Sequence, residues 1–164
     1  MKAAAIAETG RGDLLSIYLR AEMAKPFSWD SFGTGDCLMF LAGWWQMLNG
    51  EDPAAALRGA YHDEASARAA LTKEGGAIAF LDRVAAERCE PLQARRGDIG
   101  LLSFKGWHLG LICTGPMWAL RNGTGGVGFT RMPADIAWRS SRQGNTRRDR
   151  NEDHGLHDGR KARS

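Results

Sequence analysis

One cysteine and one histidine stand out among the 164 residues for the chemistry they could do together. Cys37 follows Gly35-Asp36 and opens the apolar run Leu38-Met39-Phe40-Leu41, so its thiol falls in the first turn of a helix that Asp36 caps. The unpaired N–H groups there favour a thiolate, and the preceding glycine lets a substrate approach the backbone. The helix dipole contributes about 0.3 to 1 kcal/mol, whereas lowering a thiol from ~8.5 to ~4 takes roughly 6 kcal/mol. A cationic partner must supply the rest. His108 fits, because it begins a predicted strand, His-Leu-Gly-Leu-Ile, after a Lys-Gly-Trp turn where a side chain can face the mouth of a cleft.

As a pair, His108 would take the thiol proton, the sulfur would attack an acyl carbon, and the imidazolium would protonate the leaving amine. The backbone N–H of Cys37 would help hold the oxyanion. Taken singly, each residue has a plainer reading: a free cysteine in a core helix is usually a small apolar side chain, and a lone histidine usually a surface group. His62 lies at a helix start, and His154 and His157 lie in the basic C-terminal segment. Neither setting suits a base held rigidly against Cys37.

These side chains need elements to position them. Asp13 can cap a helix over about 14–24, with Leu14, Tyr18 and Ala21 on one face, ended by Lys25-Pro26. After an aromatic, turn-rich loop, Asp36 caps a second helix over about 37–48 that has almost no polar face and should run through the core. Asp52-Pro53 opens a short helix to about Arg58. Two more are expected over about 63–74 and 77–88. Then the period changes. Short apolar runs at 98–104, 108–113, 117–121 and 127–132, separated by glycine-containing turns, read as an antiparallel meander, and helices followed by strands imply an α+β layout.

The chain suits one domain. Its net charge of +3 is concentrated in residues 139–164, which hold eight Lys/Arg against four Asp/Glu and leave residues 1–138 at −1. Nucleic-acid binding is therefore not expected beyond weak electrostatics of that segment, whose scarcity of apolar residues predicts disorder over 140–164. No run approaches the ~20 apolar residues of a membrane span, and the apolar stretch Ala3 to Ala7 is shorter than the ~7 to 15 residues of a signal-peptide core. The expectation is synthesis in a cytoplasm without an export signal. Three cysteines without CxxC spacing cannot close a disulfide framework, so reduced thiols are expected.

Other signals favour plain structural readings. Asn122-Gly-Thr-Gly-Gly-Val-Gly128 lacks the lysine and following helix of a phosphate loop and reads as a hairpin turn. Asp153-His154 and His157-Asp158 lie where no defined metal site is expected, and no cofactor is implied. Arg-Gly-Asp at 11–13 and 96–98 fits a helix cap and a strand start. The six tryptophans are mostly core by pattern, except Trp107, which sits beside His108 in a turn and is suited to lining a cleft.

In order along the chain, Phe27-x-Trp29, Gly-x-Gly-Asp36-Cys37, Arg96-Gly97-Asp98-Ile99-Gly100 and His108-Leu-Gly-Leu-Ile resemble the motifs of NlpC-type cell-wall peptidases, which are papain-like. With Asn49-Gly50-x-Asp52-Pro53, Leu57-Arg58-Gly59-x-Tyr61 and Ala137-Trp138-Arg139, the chain looks closest to a phage and prophage subgroup encoded among tail genes. The likeness covers about residues 26–139, with the first helix packed on it. It implies a hydrolase of peptidoglycan peptide crosslinks, made in the host cytoplasm and carried on a phage tail, with Cys37 and His108 catalytic and Asp36, Trp29 and Trp107 around the oxyanion and substrate cleft.

The chain departs from the family pattern at three places. Leu38-Met39 follow Asp-Cys where Ser-Gly is usual, Phe27 stands where a tyrosine is common, and the strand after the histidine strand is Met117-Trp-Ala-Leu120, without the polar residue that orients the imidazole. Asn122 is the nearest candidate for that role. The alternative implied is an NlpC-like fold that has lost catalysis and serves as a tail assembly protein.

Overall fold

The computed structural model describes residues 14–85 and 87–140. Helix α1 (residues 14–23) lies against helix α2 (Cys37–Asn49). The Tyr18 hydroxyl donates to Phe40 O at 2.7 Å across that contact. The buried face of α1 is Leu15, Tyr18, Leu19 and Glu22; Leu14 and Ala21, expected inward, are exposed. The actual stripe follows the i, i+3, i+4, i+7 rule displaced by one residue. The expected Asp13 cap, the first Arg-Gly-Asp, His154, His157 and the basic segment beyond Ser140 lie outside the described residues.

Helix α2 runs through the core as its composition requires, burying seven residues from Leu38 to Trp45. Asp36 caps it by accepting from the Leu38 and Met39 N–H groups, both at 3.0 Å, and Gly50 ends it in the left-handed region at φ 78°. The segment expected as a helix from Asp52 to Arg58 makes only a 3-10 turn, Ala55–Leu57. Its two ends are joined instead by the Arg58 guanidinium on the Asp52 carboxylate at 3.0 Å. Helix α3 (Glu64–Lys73) begins with a capping box between Asp63 and Ser66. Helix α4 (Ala77–Val84) stops four residues short of its expected end, because Arg88 enters a strand and binds Asp82 and Arg88 pairs with Trp138.

Six strands form one antiparallel sheet: β1 (Arg88–Cys89), β2 (Ile99–Phe104), β3 (Trp107–Cys113), β4 (Trp118–Arg121), β5 (Val127–Thr130) and β6 (Ile136–Trp138), in the order β1-β6-β2-β3-β4-β5. The architecture is α+β, and the expected four-strand meander is β2 to β5. The two-residue β1 and three-residue β6 are too short to show a period of two. Helix α2 packs on the face carrying Ile99, Leu101, Ile112 and Ala119, while Leu102, Leu111, Cys113 and Trp118 form a second apolar cluster behind the sheet.

Three buried polar links close the structure. Trp44 Nε1 donates to Gly97 O at 2.8 Å. The Asp98 carboxylate accepts from Arg139, from Arg95 N and from Ser140 N, so the second Arg-Gly-Asp is a structural corner. The Arg121 guanidinium is fully buried against Glu22 of α1. No helix among the described residues is long and apolar enough to cross a membrane.

Candidate active site

The N-terminus of α2 meets the middle of β3 at Gly110. A Cβ there would lie 2.5 Å from Cys37 O and 2.8 Å from Leu41, so only glycine allows this approach. The contact sets Cys37 on the same side of the sheet as His108, two residues before Gly110 on β3. Both side chains line one open cleft of about 630 Å³. His108 is solvent-exposed, and Cys37 is partly buried at the cleft floor.

Burial, followed by the neighbouring Asp36 charge, pushes the Cys37 thiol up to about 11, opposed by the Gly110 N–H, its own N–H and Arg121. The thiol is thus neutral near pH 7. Asp36 itself is 2% exposed. One carboxylate oxygen serves the cap and the other accepts the Tyr61 hydroxyl at 2.6 Å. Burial raises its affinity for a proton, against the three hydrogen bonds that lower it. Asp36 therefore supports the helix and the cleft wall from beneath and has no oxygen left over for a substrate.

Aromatic side chains form part of the cleft wall. Trp29 and Trp107 lie 5.5 Å apart, with Phe27 edge-on to Trp29 at 5.0 Å, and the Arg68 guanidinium stacks 3.8 Å over the Trp107 ring. Trp29 and Trp107 are the two tryptophans left partly exposed, whereas Trp44, Trp45, Trp118 and Trp138 are core. Such a wall suits a ligand with both apolar and polar surface.

The structure brings Cys37, His108, Asp36, Trp29 and Trp107 to one place. Asn122 reaches the rim of the same cleft, but its side-chain oxygen accepts from Thr124 N at 3.3 Å and its backbone closes the β4–β5 turn with Gly125 and Gly126. Continuing the β3–β4 register pairs Asn122 with Leu109, whose side chain points to the sheet face opposite His108. It is a turn residue. His62 is exposed beside Asp63 and does not line the cleft. Among the described residues no group of three His, Cys, Asp or Glu side chains could hold a metal.

The domain family of unknown function DUF6950 matches residues 8–140, four-fifths of the chain and all of this cleft. The chain belongs to that family. No curated protein and no solved structure matches it.

Within this DUF6950 domain, three groups near the cleft had been given no role from the sequence. Tyr61 holds Asp36, and its own backbone carbonyl accepts from the buried Ser31 hydroxyl. Arg58 clamps the loop before α2 through the carbonyls of Ser31, Phe32 and Gly33. Ser103 lies directly across from His108 on β2, its hydroxyl 3.5 Å from His108 Nδ1. Arg58 and Tyr61 stood in the Leu57-Arg58-Gly59-x-Tyr61 segment of the likeness, but their roles rest on non-local pairings that leave no sequence signal. The third was legible: the β2–β3 turn is the two-residue Lys105-Gly106, with φ of 48° and 77°, and a two-residue turn fixes Ser103 opposite His108.

Proposed function

We propose that the cleft is the active site of a papain-like thiol hydrolase of the NlpC type, with Cys37 as nucleophile and His108 as general base and acid. The observation that supports this reading is that a helix-capped thiol and a strand-borne imidazole line one open cleft, on an α2–β3 contact permitted by the missing side chain at Gly110. His108 removes the Sγ proton as sulfur bonds to the acyl carbon, the Cys37 N–H at the head of α2 supports the oxyanion, and the imidazolium protonates the departing amine. Water then attacks the thioester with His108 again as base, which releases the acid and restores the thiol. With the thiol raised by burial and the Asp36 charge to about 11, the step needs a general base to take its proton.

The substrate class is a short peptide, and the motif likeness points to the crosslinking peptides of bacterial cell walls. The enzyme would be made in the host cytoplasm and delivered with a phage tail. Incubation of purified muropeptides with the protein should yield cleaved peptides in the parent and none with Cys37→Ala. Equal cleavage by both would overturn the assignment.

A second reading is favoured by the high thiol pKa and by Asn122, whose side chain is engaged in a turn. In it the fold serves tail assembly without catalysis. Parent protein that leaves muropeptides intact, yet binds a tail component equally well as Cys37→Ala, would decide for it.

A further inference from the structure

We infer that Ser103 is the positioning residue for His108, taking from the preceding strand the role that a polar side chain on the following strand would otherwise fill; this rests on the hydrolase reading above. Ser103 and His108 are cross-strand partners. The Ser103 N–H points away from β3, donating to Asp135 Oδ2 at 2.8 Å, and the Leu101 carbonyl two residues earlier also points that way, accepting from Asp135 N at 2.8 Å. Ser103 and His108 therefore form a non-hydrogen-bonded pair, the kind in which facing side chains come closest. Both share the sheet face of Leu101 and Ile112, on which α2 packs.

The Ser103 hydroxyl meets Nδ1 at 3.5 Å, the long end of hydrogen bonding, as for catalytic contacts before substrate closes a site. Ser103 does not line the cleft and His108 does, so the hydroxyl stands behind the ring. With Nδ1–H donating to Ser103 Oγ, Nε2 carries the lone pair and is the ring nitrogen left to receive a proton. On β4 no side chain competes for this place. Continuing the register sets Gly123 across from His108, and Arg121, the neighbouring residue on that face, is spent on Glu22 and on backbone carbonyls. Asp135, just before β6 begins, completes the arrangement by holding the Ser103 backbone.

The test is nitrogen NMR of the His108 imidazole, together with the pH profile of Cys37 alkylation by iodoacetamide, in parent, Ser103→Ala, Ser103→Thr and His108→Ala. The expected result is the Nδ1–H tautomer in the parent and in Ser103→Thr, and a shift to Nε2–H, the form favoured by imidazole in water, in Ser103→Ala. Alkylation near neutral pH should slow on the order of 3- to 10-fold in Ser103→Ala, the worth of one such bond, and recover in Ser103→Thr. A tautomer unchanged in Ser103→Ala, with His108→Ala still slowing alkylation, would overturn the role of Ser103 and leave the Cys37–His108 pair standing. Alkylation indifferent to His108→Ala would instead overturn the pair itself.

Discussion

Asp36 caps α2 with one oxygen, receives the Tyr61 hydroxyl with the other, and sets a negative charge beside the thiol. The cap needs only the oxygen, so cap and charge can be separated. Asparagine caps as well as aspartate, and in Asp36→Asn the amide oxygen keeps the Leu38 and Met39 bonds while the amide nitrogen turns to the Tyr61 hydroxyl oxygen. With the charge gone, the Cys37 titration seen in alkylation rates should move down from about 11. An unmoved midpoint would mean that burial alone sets it. The sign of the stability effect follows. Folded Cys37 keeps its proton to about 11 against an ordinary 9.0, so its contribution is fully present below pH 9 and is lost as pH rises through 11. Parent and Cys37→Ala should therefore converge in denaturation midpoint over that interval. At this scale the placing of Cys37 at a capped helix start and of His108 on a strand was legible, because caps and turns are local signals. Tyr61 and Arg121 were not, since their roles depend on partners 25 and 99 residues away.

Helix α2 and strand β3 touch at Gly110, and that contact joins the fold to the chemistry. In Gly110→Ala the new methyl would fall 2.5 Å from Cys37 O and 2.8 Å from the Leu41 side chain, inside a packed core with no room for it. The helix must move off the sheet, so the variant should lose roughly 1 to 3 kcal/mol in urea denaturation, and Cys37 alkylation should lose its dependence on His108. Wild-type stability together with intact His108 dependence would show that the contact is slack. The elements themselves followed their sequence signals where those were dense: α2 from its cap and unbroken apolar run, α3 from Asp63 and Ser66, the meander from its glycine turns. They failed where tertiary pairing wins over local preference. Residues 85–88 have helical composition, but Arg88 is drawn into β1 by Trp138 and Asp82, and Asp52 to Arg58 gives up a helix for the Arg58 clamp.

Across the molecule, one buried ion pair ties together parts that are far apart in sequence. Arg121 of β4 reaches Glu22 of α1, and the same guanidinium bonds the carbonyls of Glu22 and Gly126 and that of Thr34, two residues before the Asp36 cap. Both side chains are essentially inaccessible to water, so neither charge has solvent to fall back on. Glu22→Leu strands the Arg121 charge and should cost about 3 to 5 kcal/mol in chemical denaturation, whereas in Arg121→Met the Glu22 carboxylate keeps the Lys25 ammonium at 2.6 Å, so that variant should cost less. The double variant Glu22→Leu/Arg121→Met strands no charge, though it orphans several carbonyls that Arg121 serves, so its cost should fall well below the sum of the two single costs. A coupling near zero in that cycle would mean that Arg121 acts through the carbonyls alone. The double variant also bears on the site, because the loop from Phe27 to Gly35 reaches Cys37 through Thr34. If the ion pair fixes that loop, the double variant should fold yet show a lower His108-dependent alkylation rate at Cys37, whereas an unchanged rate would assign loop control to Arg58, which holds Ser31, Phe32 and Gly33 from the other side.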